Sequence, residues 1–171
     1  MSLSMYAVTI PPMRLMLKNL SAIISKAEQH CEARKIDPSA FLSARLFPDM
    51  FPFTRQVQIA SDTAKGAAAR LAGVEVPKFE DTETTFAELH ARLDRTVAFM
   101  DSLTPAQFEG ADTRTVTLPL RQGPREFTGL EYLTAWANPN LYFHVTTAYA
   151  LLRHGGVEIG KTDYLAGSLA K

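Results

Sequence analysis

Asn138-Pro-Asn-Leu-Tyr-Phe-His-Val-Thr-Thr-Ala-Tyr-Ala-Leu-Leu-Arg-His-Gly-Gly156 is the stretch on which the reading of this chain turns. It reads as a helix that starts or kinks at Pro139, where the ring removes a main-chain donor, and that stops at the glycine pair. Leu133, Ala137, Asn140, His144, Ala148 and Leu151 recur at three- and four-residue spacing and so share one stripe. A stripe of this kind is buried, which puts an amide and an imidazole inside the protein. Each costs about 1–3 kcal/mol there unless it meets a hydrogen-bond partner or a ligand.

The segments before this helix supply its neighbours. Thr128-Gly-Leu-Glu131 is a capping-box pattern that opens the fourth long helix, with Leu130, Leu133, Trp136 and Ala137 following. Pro139 divides that helix: its ring meets the Ala135 carbonyl, for which the Asn138 amide or a water is the expected replacement donor. Upstream, Arg114 to Leu120 alternates with period two, Gln122-Gly-Pro124 reads as a turn, and Arg125 to Thr128 returns as a second strand. Two strands alone are marginal, so the hairpin must lie against helices. The third helix carries Phe86, Leu89, Leu93, Val97 and Met100, capped by Thr82 or Thr84.

The second helix runs from about Pro52 to Ala72 on the stripe Phe53, Val57, Ala60, Ala64, Ala67 and Leu71, and stops at Gly73. Its Gly66 and Ala67 to Ala69 permit close approach of a neighbour. The first helix follows an irregular lead, Met1 to Pro12, with Pro12 in its first turn and Met13, Leu17, Leu20, Ile24, Ala27 and Cys31 on one face. Asp37 and Pro38 open a short helix to Leu42. Arg45 to Pro52, with Phe47, Met50 and Phe51, reads as a loop pinned onto the bundle. Four long helices with a hairpin in the last connection predict an all-α four-helix bundle, a single domain over residues 1–171.

Composition narrows the function classes. Eighteen basic residues balance eighteen acidic ones, so no charged stripe recommends nucleic acid or an anionic membrane as a partner. The absence of a membrane-length apolar run, together with a lone cysteine, predicts a soluble cytoplasmic protein in which Cys31 is a buried structural thiol. There is no Gly-rich phosphate loop, no paired cysteines, no His-Glu-x-x-His and no Gly-x-Ser-x-Gly. His30 and His90 lie on polar flanks and His154 sits in the last helical turn, where a donor suits the final carbonyls. Only His144 is interior.

Asn140-Leu-Tyr-Phe-His144, Val145 to Gly156, Asp49-Met-Phe-Pro-Phe-Thr-Arg55 and Phe79-Glu-Asp-Thr82 together resemble the DinB/YfiT-like metalloenzyme superfamily, over residues 2–165. Within it they resemble a bacterial branch known only as a domain of unknown function. The resemblance implies a four-helix bundle, often dimeric, with a divalent metal on three histidines, one from the second helix and two from the fourth. Some members are thiol-dependent transferases or isomerases. Here His144 matches the last histidine, Asn140 stands at the second, and the second-helix position falls at Gln56 or Gln58. Stripe geometry favours Gln56, and Gln58 points away. Two amides and one imidazole are poor ligands for zinc or nickel.

Three readings follow. In the first, the former metal site is a polar pocket for an uncharged or anionic small molecule, lined by Gln56, Asn140, His144 and Trp136, with no cofactor. In the second, a divalent metal on His144 serves a thiol-transferase-like enzyme. In the third the protein is non-catalytic and acts by association as a homodimer, His144 and Asn140 satisfying one another.

Overall fold

The computed structural model describes residues 4–168. The expected irregular lead is helical from its fifth residue, residues 1–3 of it lying outside the described range. Helix α1 runs Met5–Arg34, with Ala7 N donating to Ser4 Oγ at 3.3 Å. Pro11 and Pro12 therefore lie inside it. Each lacks a donor to the preceding turn, but Met5, Thr9 and Ile10 are buried just before them, and that burial holds the turn in place. Lys35 ends α1 in the left-handed region at φ 55°. Ser39 N then donates to Asp37 Oδ1 at 2.9 Å, as expected, to open α2 (Ser39–Leu42).

The loop before the next helix is not pinned by its aromatic side chains. Phe47 and Phe51 are 63% and 53% exposed. The core position beneath is taken by Phe53, which has no exposed surface, and polar contacts hold the loop: Met50 N to Phe47 O at 3.0 Å, Phe53 N to Ala44 O at 2.9 Å, and Arg45 to the Met50 carbonyl.

Helix α3 (Phe53–Ala72) is the central element, packed against α1, α4 (Phe86–Asp101) and α6 (Asn138–His154). Its six-residue stripe is fully buried, and Ala68 and Ala69 are buried with it. The cap of α4 is Thr85, one residue beyond those expected. Glu88 N donates to Thr85 Oγ1 at 3.2 Å and Thr85 N returns to Glu88 Oε2 at 3.0 Å, because a capping box needs the acid three residues on.

After a 3₁₀ turn at Pro105–Phe108 come β1 (Thr115–Leu120) and β2 (Gly123–Thr128), antiparallel, with Val116 opposite Phe127 and Leu120 opposite Gly123. Arg121 and Gln122 make the turn, and Gly123 and Pro124 already belong to β2. Val116, Leu118 and Phe127 face inward, and Phe127 lies 5.8 Å from the Trp136 ring.

Thr128 caps the short α5 (Gly129–Glu131), accepting from Glu131 N at 3.3 Å. The chain then winds as a π-helix over Tyr132–Ala137 before α6. Asn138 keeps helical angles (φ −61°, ψ −49°), and its N–H donates to Leu133 O, five residues back. The fourth helix thus changes winding ahead of Pro139 instead of breaking there, because a wider turn accommodates a ring that cannot donate. Gly155 caps α6, followed by α7 (Lys161–Ala166), which the sequence reading did not anticipate. It is fastened to α1 by Asn19 Nδ2 donating to Tyr164 O at 2.9 Å and by a Lys26–Asp163 ion pair at 2.6 Å. No helix among the described residues is long and apolar enough to cross a membrane.

Candidate functional site

The buried stripe of α6 is centred on Leu141, Val145, Ala148 and Leu152, each without exposed surface. His144 sits at its edge, 9% exposed, facing α3. Its Nδ1 lies 2.7 Å from Gln56 Oε1. Gln56 Nε2 donates to Phe51 O at 3.1 Å, which fixes the amide with its oxygen toward the imidazole. The proton of His144 is therefore on Nδ1, and Nε2, which carries none, is left as an acceptor. Burial pushes the imidazole pKa down, and the Arg55 charge pushes it further, so the ring is neutral at pH 7.

The other two expected site residues turn elsewhere. Asn140 Nδ2 donates to Trp136 O at 2.9 Å, one turn back on the same helix. It satisfies its own backbone and does not meet His144, and Asn138 does not supply the donor expected of it at Pro139. A short amide in the first turn of α6 reaches its own preceding turn more easily than a side chain one turn ahead. Trp136 is half-buried, with its ring on Phe127 of the hairpin. The structure thus makes two pairs, His144 with Gln56 and Asn140 with Trp136.

Gln58 does not point away from the protein. It is 4% exposed and donates from Nε2 to Glu83 Oε2 at 2.9 Å, while Arg55 donates to its Oε1 at 3.2 Å. This leads into an ionic cluster around a buried arginine, which sequence reasoning missed. Arg92, with no exposed surface, reaches Glu83 at 3.0 Å, Asp62 at 2.8 Å, Asp81 at 3.0 Å and the Glu80 carbonyl at 3.0 Å. Lys65 pairs with Asp62 at 2.8 Å and stands 3.9 Å from the Phe79 ring centre. The signal was present in the spacing: Arg92 and Thr96 interleave with Leu89, Leu93 and Met100 on the buried face of α4. A charged residue inside an apolar stripe announces a buried partner.

His90 is likewise not free in solvent. Its Nδ1 lies 2.7 Å from Ser21 Oγ and its Nε2 3.2 Å from Glu28 Oε2. His30 packs edge-on against Phe41 at 5.8 Å. Cys31 is buried as expected, and its thiol pKa is raised by that burial and by Asp37 and Glu28.

The three-histidine arrangement that the resemblance implies does not fit the residues present. Both polar atoms of Gln56 are engaged, the Asn140 amide is turned to its own helix, and one imidazole nitrogen remains open. Neutral amides are weak ligands for zinc or nickel in any case. Among the described residues, no group of three histidine, cysteine, aspartate or glutamate side chains is placed to hold a metal.

The Phe143 ring stands edge-on to His144 at 5.2 Å, and Phe143 and Tyr142 are 55% and 39% exposed. Arg55 lies 5.9 Å over the Phe51 ring, and its guanidinium pairs with Asp81. The arrangement offers a neutral acceptor, a guanidinium and an aromatic platform.

Residues 5–165 match the family described as a domain of unknown function, DUF1993. A crystal structure of a DinB family member from Shewanella denitrificans is similar at a TM-score of 0.89 and 47% identity, covering 94% of this chain and 90% of that one. No curated protein matches the sequence. With its helical bundle, its hairpin and a match along nearly all of its length, this chain belongs to the DinB family, in the branch described as DUF1993.

Proposed function

We propose that this DinB-family protein binds an uncharged or anionic small molecule where relatives of the superfamily would hold a metal, with His144 and Gln56 as the polar core of the site. The observation that carries this is the Gln56–His144 hydrogen bond, which locks the proton on Nδ1 and leaves Nε2 as an acceptor beside Arg55. A ligand hydroxyl, thiol or carboxylic acid donates to Nε2, a negative charge faces Arg55, and an apolar body lies on Phe51 and Phe143. Asn140 lies one turn before His144 on the same helix, and Trp136 two turns before it in the π-helical segment. No cofactor takes part in this reading, and it assigns no reaction.

The test is a thermal-shift screen of untagged protein with small acids, phenols, thiols and divalent metals, beside metal analysis. Stabilisation by an acid or phenol, lost in His144→Ala, is expected, with less than about a tenth of an equivalent of zinc or nickel. The variant Gln56→His/Asn140→His is expected to gain zinc, because it restores three imidazoles. Stoichiometric metal on the natural protein would overturn the reading.

The exposed aromatic surface favours a second, competing reading, a homodimer formed through Phe47, Phe51 and Phe143, in which the partner copy covers the platform that a ligand would use. The alanine-rich face of α3 is not available for this, since those alanines are buried within the chain.

A further inference from the structure

A second concavity lies away from His144, between the end of α1, α2 and the start of α4. Its volume is about 620 Å³, within the range of sites that take drug-sized molecules. The floor is apolar, with Cys31, Ile36, Leu42 and Phe86, and three of these, Cys31, Leu42 and Phe86, are themselves buried core residues. The rim is ionic and unbalanced: Glu28, Glu32 and Asp37 face one cation, Lys35, which leaves two negative charges in excess. The α1 helix ends here, and its C-terminal end adds negative potential.

Two of the carboxylates are held in place. His90 Nε2 lies 3.2 Å from Glu28 Oε2, with Ser21 Oγ on the other ring nitrogen at 2.7 Å. Asp37 accepts from Ser39 N at 2.9 Å, and that bond lowers its pKa. The positive N-terminus of α4, which would otherwise counter this field, is already closed by Glu88. An apolar floor under a fixed anionic rim selects a molecule with an apolar body and a cationic head.

From this geometry we infer that the cleft between α1, α2 and α4 is a binding site for a small amphipathic ammonium compound, an aryl-alkyl amine. The apolar body lies on Ile36, Leu42 and Phe86, and the ammonium meets Glu28, Glu32 and Asp37. This site is separate from the one at His144, and neither depends on the other.

Cys31 supplies the reporter, because it is the sole thiol in the sequence and lies buried in the floor of the cleft, where it is alkylated only as that floor opens. The probes are tryptamine and indole-3-propionate, which share an aromatic body and differ in charge. Calorimetry at pH 7.5 is expected to show tryptamine binding, and saturating tryptamine is expected to slow alkylation of Cys31 by N-ethylmaleimide roughly fivefold. Glu32→Gln/Asp37→Asn, both exposed positions, should weaken tryptamine about tenfold, or roughly 1.4 kcal/mol. Ala87→Trp, at an exposed lining position, should abolish binding by filling the cleft. His144→Ala should leave it unchanged. Equal binding of the propionate, tryptamine binding without protection of Cys31, or no tryptamine binding to the natural protein would each overturn the inference.

Discussion

At the scale of single residues, two side chains matter most, and both break the apolar pattern of their helices. His144 is held neutral by burial and by the charge of Arg55. Its folded pKa lies below the unfolded value of roughly 6.5, so the unfolded chain takes up the proton first. The stability this contributes is complete above about pH 6.5 and is lost as pH falls from there through the lowered folded pKa. Denaturant unfolding between pH 7.5 and 5 should therefore show a smaller acid loss in His144→Gln than in the natural protein. His144→Ala should cost about 1–3 kcal/mol at pH 7.5, because Gln56 loses its partner. Arg92 is the larger case. Arg92→Met leaves the Glu83 carboxylate buried without its guanidinium, and urea unfolding should record a loss of about 3–5 kcal/mol. Adding Glu83→Gln to that variant should recover part of the loss, since the orphaned charge is then gone.

At the scale of elements, the fourth helix is set by two local devices at its start. The Thr128–Glu131 box fixes where it begins, and Thr128→Ala should cost about 0.5–2 kcal/mol. Gly129 is the second device: a Cβ there would fall on the Ala111 carbonyl oxygen, which belongs to backbone and has little room to move. Leu130 N donates to Asp112 O at 2.9 Å across the same contact. Gly129→Ala should therefore destabilise by about 1–3 kcal/mol or more through overpacking, whereas Gly110→Asn, at a left-handed position with open space, should cost far less. Thermal unfolding of the two variants side by side decides this. The π-helical turn at Tyr132–Ala137 shows how a proline is absorbed without a break. Widening the turn ahead of Pro139 keeps α6 in register with α3, so His144 still faces Gln56.

At the scale of the whole molecule, the chain presents no excess charge to keep copies apart. Phe47, Phe51, Tyr142 and Phe143 leave aromatic surface open, with Phe143 beside His144. Light scattering is expected to show a homodimer at micromolar concentration, burying more than about 1,000 Å² in total. Phe51→Glu/Phe143→Glu should return it to a monomer without lowering its unfolding midpoint appreciably, as both side chains are exposed in the single chain. A monomeric natural protein at that concentration would remove the dimeric reading and leave the small-molecule reading standing.

The sequence by itself determined what depends on neighbours along the chain. The four long helices, the stop at Gly73, the Thr128–Glu131 cap, the alternation of the hairpin and the interior place of His144 all follow from spacings of two to four residues. Tertiary structure alone decided what depends on partners distant in sequence. Gln56 and Asn140 were both expected beside His144, but nothing along the chain decides that the Nδ1 proton goes to Gln56, 88 residues away, while Asn140, one turn back, bonds its own helix. Nothing near Arg92 shows that a guanidinium inside an apolar stripe is balanced by Asp62, Asp81 and Glu83. The two prolines inside α1 make the same point. Local propensity places them at a helix start, and burial of Met5 and Ile10 against other elements outweighs it, because packing free energy is summed over the whole core and propensity over a single turn.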